Sequence, residues 1–266
     1  MEIDNEAQIR GRYWNMKKSR FAKKMMALIL AVVTAVTFMP VNGFMSKVSA
    51  DETENVKPNY LTFTAKEAGS TITFSWNTGN VMYSTDGGNS WSEYAEGIQI
   101  KLDKVGSTVS FKGKNVTTDY YNHFTMNGII EASGSVTSLT DGEGNKTDVN
   151  LSRECYKYMF SKCTSLTTAP KLPAEQLASH CYDHMFSECT SLTTAPKLPA
   201  EQLASHCYDH MFSECTSLTT APELPAKQLA SYCYDSMFYK CTSLTTAPEL
   251  PAEQLAETCY DYMFSG

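Results

Sequence analysis

The sequence predicts an α+β fold: a small antiparallel β-sandwich module followed by a solenoid with one short strand and one helical segment in each 26-residue unit. Short β-branched and aromatic runs, separated by turn residues, fill positions 58–140. From residue 155 onward one 26-residue frame recurs without a gap, and all 9 cysteines lie in it. Because a single unit of this length cannot bury its apolar face, neighbouring units are expected to stack.

The first 50 residues are predicted to form a signal peptide region. The basic stretch "KKSRFAKK" precedes an apolar run, 25–38, which is shorter than the ~20 residues that span a bilayer. Small residues in "VSA" favour cleavage after Ala50, and Met16 is an alternative start. An N-terminal membrane anchor is the other interpretation. After cleavage we expect a secreted or cell-surface protein that is not an integral membrane protein.

The charge balance excludes one class of partner. The first 50 residues hold 8 of the 22 basic and 3 of the 29 acidic side chains, so the remaining chain has a net charge of −12. Nucleic-acid binding usually requires a basic patch, and so does nonspecific binding to anionic membranes. We therefore expect no nucleic-acid partner.

The β-sandwich-like module is predicted at 58–140, after a linker at 51–57. The runs "YLTFTA", "STITFSW", "VMYSTD", "IQIKL" and "TVSFKG" have strand character and are separated by turns such as "KEAG" and "DGGNS". The run "GIIEASGSVTSL" is expected to pair with the first repeat. Residues 141–154 are expected to form a loop and the N-terminal cap of the solenoid.

A helix is predicted in each repeat unit because apolar residues recur every four positions. Leu177, Cys181, Met185 and Cys189 would form one buried stripe on a helix face, and Pro173 suits a helix start. The segment "LTTA" is β-compatible, and the prolines after it keep any strand short. One strand and one helix in 20 to 29 residues is the pattern of leucine-rich repeats. The units run 155–180, 181–206, 207–232 and 233–258, and a fifth is truncated at Gly266.

The predicted core of the repeats consists of the cysteine, phenylalanine and leucine positions of the frame. These are Cys155, Phe160, Cys163, Leu166, Cys181, Phe186, Cys189, Leu192, Cys207, Phe212, Cys215, Leu218, Cys233, Phe238, Cys241 and Leu244.

The stretch "SHCYDHMFSEC", which occurs twice, raises the question of a metal site or a catalytic Cys/His pair. The cysteines recur in every unit while the histidines do not, so folding of a unit does not depend on a metal. Cys181 and Cys189 would lie about 12 Å apart on a helix, beyond the ~7 Å limit for a disulfide. We therefore interpret the cysteines as free core residues and predict no metal, no cofactor and no catalytic residue.

The frame "MFxxCTSLTTAPxLPAxxLAxxCY" resembles the repeats of bacterial BspA-like leucine-rich-repeat surface proteins. The likeness covers 155–266 and is carried by Phe160, Cys163, Leu166, Pro173 and their counterparts. The chain departs from that family in its slightly longer period and in a second row of cysteines, which begins at Cys155. The resemblance implies adhesion or protein binding, with a host or neighbouring-cell protein or glycan as partner, and no enzymatic activity.

The leading candidate binding surface is the predicted strand face of the repeats. A threonine ladder that only stabilises the stacked strands is the competing interpretation. A carbohydrate-binding surface on the β-module is the alternative function, with Tyr83, Trp91, Tyr94, Tyr120 and Tyr121 as its aromatic residues. The strand face consists of Thr167, Thr168, Thr193, Thr194, Thr219, Thr220, Thr245 and Thr246.

The run "STDGGNSW", 84–91, matches the pattern S-x-D-x-G-x-x-W and resembles the Asp-box of sialidase propellers. We interpret it as a structural turn, because Asp86 can bond back to turn amides and Gly88 can adopt positive φ.

Overall fold

A computed structural model describes residues 57–76 and 78–266. The predicted signal peptide, its cleavage point and most of the predicted linker lie outside these residues. Membrane-spanning helices are absent from the described residues, whose one helix has four residues. In chain order the elements are β1 (Leu61–Ala65), β2 (Ser70–Phe74), β3 (Thr78–Ser84), β4 (Ser92–Glu93), β5 (Gln99–Leu102), β6 (Thr108–Thr117), β7 (Phe124–Asn127), β8 (Ile130–Ser133), α1 (Ser138–Asp141) and β9 (Leu166–Thr168).

Two sheets form the part of the chain before the repeats. The larger sheet has the strand order β4-β3-β6-β1-β8-β9 and the smaller one the order β5-β2-β7. All pairings are antiparallel except that of β8 with β9, which is parallel. Burial alternates along β1 and β2, so that Phe63 and Phe74 point inward, as the period of two in a strand requires. Since β9 belongs to the first repeat, the larger sheet continues directly into the repeats.

The predicted fold class is wrong: the described chain is nearly all β, with mixed and antiparallel sheets, and is not an α+β solenoid. The predicted helix of each unit is a run of turns in which alternate residues have left-handed backbone angles. Where the first unit meets the second, φ is 61° at His180, 62° at Tyr182 and 53° at His184. An α-helix requires right-handed angles at every residue. The predicted strand is also shorter than expected, because "LTT" forms β9 in the first unit and only single bridges at Thr194 and Thr220 follow.

The backbone hydrogen bonds explain why no helix forms. The N–H of Met185 donates to the carbonyl of Tyr182, three residues back, as in a turn. The N–H groups of the residues on either side, His184 and Phe186, instead donate to carbonyls of the next unit, at 2.8 and 2.9 Å. Alternate N–H groups therefore close turns within a unit or join one unit to the next. The apolar spacing of four persists because consecutive turns bring these positions to the same side.

Residues 155–266, called here the repeat stack, place equivalent side chains directly above one another. The rings of Phe160, Phe186 and Phe212 lie 5.3 and 5.6 Å apart and are nearly parallel. This column continues into the β-module, where Phe124 of β7 lies 5.4 Å from Phe160 and 3.9 Å from Phe74. The β-module thereby covers the N-terminal end of the repeat stack, and the two share one hydrophobic core.

A second column consists of tyrosines whose hydroxyl groups have unequal environments. The hydroxyl of Tyr156 donates to the carbonyl of Val136 at 3.1 Å and also contacts the hydroxyl of Thr140. The buried hydroxyls of Tyr182 and Tyr208 have no hydrogen-bond partner among the described residues. Burial raises the pKa of Tyr208 well above its ordinary value. The column is therefore stabilised by ring packing. The buried hydroxyls of Tyr182 and Tyr208 lower the stability, because they lose hydrogen bonds to water without gaining a partner.

We predict that Tyr208→Phe increases the free energy of unfolding, by about 1 kcal/mol, because it removes a buried polar group without a partner. The matched variant Tyr156→Phe should decrease it by about 1 kcal/mol, because it removes the hydrogen bond from this hydroxyl to the Val136 carbonyl. Urea denaturation monitored by circular dichroism measures both. An equal loss in the two variants would contradict the difference between the two hydroxyls.

Candidate functional site

The structure assigns two different environments to the threonines of the predicted binding face. The hydroxyl of Thr193 and its N–H both reach the carbonyl of Thr167 at 3.4 Å, and Thr219 bonds to Thr193 in the same way. In the first unit, Thr167 and Thr168 donate to carbonyls of β8 at 3.1 Å. These threonines form the ladder of the competing interpretation. The other four are exposed, as Thr193 and Thr219 also are, but their hydroxyls have no hydrogen-bond partner among the described residues: Thr194, Thr220, Thr245 and Thr246.

The aromatic residues of the alternative binding surface are mostly packed inside the β-module. Tyr94 is 2% exposed, and its hydroxyl accepts a hydrogen bond from the N–H of Phe74. Tyr83 packs edge-on against Tyr94. Only Tyr120 and Tyr121, in the loop between β6 and β7, are well exposed, at 48% and 83%.

Trp91 and Asp86 both stabilise the turn that follows β3. The two carboxylate oxygens of Asp86 accept hydrogen bonds from Ser84, from the N–H of Ser90 and from the Ser90 hydroxyl. These hydrogen bonds lower the pKa of Asp86 well below its ordinary value. The indole of Trp91 donates to the carbonyl of Gly88, and the amine of Lys112 lies 4.1 Å from the centre of the indole. These hydrogen bonds give the motif at 84–91 a structural role in stabilising the turn.

Two buried aspartates, Asp183 in the second unit and Asp209 in the third, each lie between two histidines, an arrangement called here a His–Asp rung. Nδ1 of His180, the last residue of the first unit, lies 2.8 Å from one carboxylate oxygen of Asp183, and Nδ1 of His184 lies 2.5 Å from the other. Around Asp209 the corresponding distances are 3.0 and 2.5 Å. The two rungs are His180–Asp183–His184 and His206–Asp209–His210.

The carboxylates determine which ring nitrogen of each histidine carries a proton. Burial alone would raise the pKa of Asp183, but hydrogen bonds from two histidines and a lysine outweigh it and lower the pKa to about 2. An ionised carboxylate only accepts hydrogen bonds, so each bonded Nδ1 carries a proton. The second ring nitrogen, Nε2, is left for another partner. The hydrogen bond that His210 donates to Asp209 raises the pKa of His210.

The rungs continue along the repeat stack as columns of rings. His180 stacks on His206 at 4.2 Å, and His206 stacks on Tyr232 at 4.5 Å. Along the other side, Tyr158, His184 and His210 lie 4.7 and 4.4 Å apart. Ring edges with nitrogen or hydroxyl groups therefore recur at each unit.

The aspartates also form a column along the repeat stack. In the first unit a lysine takes the place of the aspartate. Lys157 occupies the position that is aspartate in the later units, and its amine lies 2.9 Å from Asp183. Asp235, in the fourth unit, has the Ser236 hydroxyl as its partner instead of histidines, and burial raises its pKa. Lys157 and the four histidines thus stabilise the negative charge in the first part of the column.

A groove of about 380 Å³ lies beside the rungs. Tyr120 of the β-module contributes to it together with Tyr158, His184, His210 and Tyr239 of the repeats. Hydroxyl and imidazole groups on its walls can donate or accept hydrogen bonds, so a polar ligand fits its chemistry.

The cysteines are placed for packing and hydrogen bonding. Eight of the nine are buried and Cys259 is partly buried. The thiol of Cys189 donates to the carbonyl of Phe160 at 3.0 Å, and Cys215 bonds to Phe186 in the same way. A buried carbonyl thus gains a donor that an aliphatic side chain could not supply, which explains cysteine at these positions. Every predicted core residue is buried except Leu244, which is partly buried.

Burial also makes these thiols poor nucleophiles, because it raises their pKa values, for example to about 11 in Cys181. A search of the described residues for three or more His, Cys, Asp or Glu side chains arranged around a metal ion finds none. The rungs are therefore best described as charged hydrogen-bond networks.

Sequence reasoning missed the partners of the histidines. It considered a metal site or a catalytic Cys/His pair for this stretch, and it did not single out Asp183, Asp209 or Lys157. The signal was present in the spacing His-x-x-Asp-His, but only the turn conformation brings both imidazoles to one carboxylate.

No protein-family model, curated protein or solved structure matches this chain. The resemblance to BspA-like repeats therefore depends on the repeat frame alone and stays a prediction.

We predict that the contribution of His210 to the free energy of unfolding is lost as the pH rises from about 6 to about 8. His210 has a raised folded pKa, so its contribution is complete below its unfolded pKa of ~6.5 and is lost as the pH rises through the folded value. Asp183 has a lowered pKa, so its contribution is lost only as the pH falls toward about 2. Urea denaturation at several pH values should show a smaller decline in Asp209→Asn. The control Asp103→Asn, in an exposed ion pair with Lys101, should decline like the parent. An unchanged decline in Asp209→Asn would contradict the assignment.

We also predict that the native protein reacts slowly with a thiol reagent at all nine cysteines except Cys259, because the other eight are buried. Unfolding in denaturant without reductant should expose every thiol to the reagent. Colorimetric thiol titration measures both states. Fewer reactive thiols in denaturant would show that disulfides form and would contradict the free-thiol interpretation.

Proposed function

We propose that this chain is a secreted or cell-surface protein that binds another macromolecule through the exposed face of the repeat stack, without catalysis. The observation that carries the proposal is that only some of the threonine hydroxyls bond to a neighbouring unit. The hydroxyls of Thr193 and Thr219 bond to the preceding layer, while those of Thr194 and Thr220, exposed in register on the same face, have no hydrogen-bond partner among the described residues. Short side chains on a backbone fixed in this way form a repetitive and preorganised surface, which reduces the entropic cost of binding.

The expected partner is a host or neighbouring-cell protein or glycan. The pattern of residues 1–50 supports secretion, and the frame of the repeats supports adhesion. The acidic charge of the remaining chain opposes nucleic-acid binding.

Carbohydrate binding is the second candidate function, and one observation favours it. Tyr120 and Tyr121 are exposed next to the groove beside the His–Asp rungs, so an aromatic ring and several hydrogen-bonding groups are available together. The aromatic candidates are thereby reduced to these two residues, because Tyr94 is buried and Tyr83 and Trp91 pack against other rings.

We predict that binding to arrays of extracellular proteins and glycans is lost when the exposed threonines are replaced by a bulky cation in Thr194→Lys/Thr220→Lys. The change places long charged side chains on the surface without removing a ladder hydrogen bond. Tyr120→Ala/Tyr121→Ala is the matched variant for the second candidate. Binding of the fluorescently labelled protein to each array is the measurement, and thermal unfolding checks that both variants fold. Loss only in the tyrosine variant, with glycans as the bound class, would replace the first function by the second.

A further inference from the structure

One row of charged side chains on the repeat stack has no ion-pair partner among the described residues. Lys171, Lys197, Glu223 and Glu249 occupy equivalent positions in four successive units, and all are exposed. None forms an ion pair with another described residue. Two positive charges are therefore followed by two negative charges along the row.

Another row shows how the chain neutralises charge when the partners are neighbours. Lys162 lies 3.8 Å from Glu188, and Glu214 lies 3.0 Å from Lys240. That row reads positive, negative, negative, positive, so that each lysine has a glutamate in an adjacent unit. In the row from Lys171 to Glu249 the like charges are adjacent at both ends, and only the middle pair is of opposite sign.

We propose that the row from Lys171 to Glu249 is the centre of a twofold interface between two copies of this protein. Antiparallel apposition of two such rows places each lysine against a glutamate. Lys171 then faces the partner's Glu249, and Lys197 faces the partner's Glu223. Because the interface is twofold, each of these contacts occurs twice. A parallel apposition would oppose like charges at every position.

The surface on both sides of this row is suited to such a contact. Prolines precede and follow each charged residue, and the groove between the second and third units, about 430 Å³, is lined by Pro196, Leu198, Pro199 and Pro225. Proline has no N–H group to desolvate and little conformational freedom to lose on association. Rigid proline residues therefore flank each charge of the row along the chain, and the exposed charges can orient the second copy.

The neighbouring row does not fit a twofold axis. It consists of Glu175, Glu201, Lys227 and Glu253, so antiparallel apposition would place Glu175 against the partner's Glu253. This contrast locates the axis at the row of Lys171 and Glu249, between the second and third units.

The expected association is weak and depends on ionic strength. With about 5 Å between neighbouring units, a spacing like that between strands, the four charges extend over roughly 15 Å. A contact of this length buries an area at the small end of the range for specific interfaces. Exposed ion pairs are screened by salt, so the dissociation constant should rise about tenfold between low and high ionic strength.

Charge reversal tests the proposal through sedimentation velocity over a range of protein concentrations. The variants are Lys171→Glu/Lys197→Glu, whose row is entirely negative, and Glu223→Lys/Glu249→Lys, whose row is entirely positive. We expect the parent to form dimers at low ionic strength, each variant alone to be monomeric, and an equimolar mixture of the two variants to form dimers again. The control Lys104→Glu, in an exposed turn of the β-module, should behave like the parent.

Restoration of dimers in the mixture cannot arise from misfolding of either variant. A monomeric parent together with a monomeric mixture would overturn the proposal, and so would dimers that persist in both separate variants. No other macromolecule is present in this experiment, so its result is independent of the proposed binding function.

Discussion

The architecture of the repeats depends on peptide N–H groups that leave their own unit. Residues with left-handed backbone angles donate across the unit boundaries: His180 and His184 donate to carbonyls of the next unit at 3.0 and 2.8 Å, and Tyr182 donates to Cys155 of the preceding unit at 3.2 Å. Left-handed angles are unfavourable for residues other than glycine, and they persist only where the surroundings stabilise them. Here the hydrogen bonds between units provide that stabilisation, so a unit in isolation would have no reason to keep its conformation.

The stacked side chains follow from this backbone arrangement. Once the backbone of one unit is fixed above the other, equivalent rings must stack, and the columns of phenylalanine, tyrosine and histidine result. The same constraint places a thiol such as that of Cys189 under the carbonyl of Phe160, where it donates a hydrogen bond. It also brings aspartates into a column, and Lys157 and the four histidines of the rungs reduce the electrostatic cost of that column.

The sequence was sufficient to predict the repeat length, the buried positions and several strands of the β-module. These depend on periodicity and on strand and turn composition, which are local properties. The helix prediction failed because residues buried every four positions are also produced by consecutive turns, and no glycine marked the left-handed positions at Tyr182 and His184. The hydrogen bonds that decide between the two conformations connect residues about 25 positions apart. For the same reason the candidate site was predicted only in part: the threonine face was identified, but its division into ladder and exposed residues, and the partners of the histidines, depend on neighbouring units.

The register of the hydrogen bonds between units has a consequence for how such a chain can change in length. Donors of one unit meet acceptors of the unit that follows, for example from Phe186 to Met211, and of the unit that precedes, for example from Tyr208 to Cys181. Any whole copy of 26 residues inserted in the same direction would find both sets of partners, as the near identity of the second and third units illustrates. An insertion of any other length would put donors and acceptors out of register. Internal duplication is therefore restricted to whole units of 26 residues. The β-module continues to cover the N-terminal end of the repeat stack whatever the number of units.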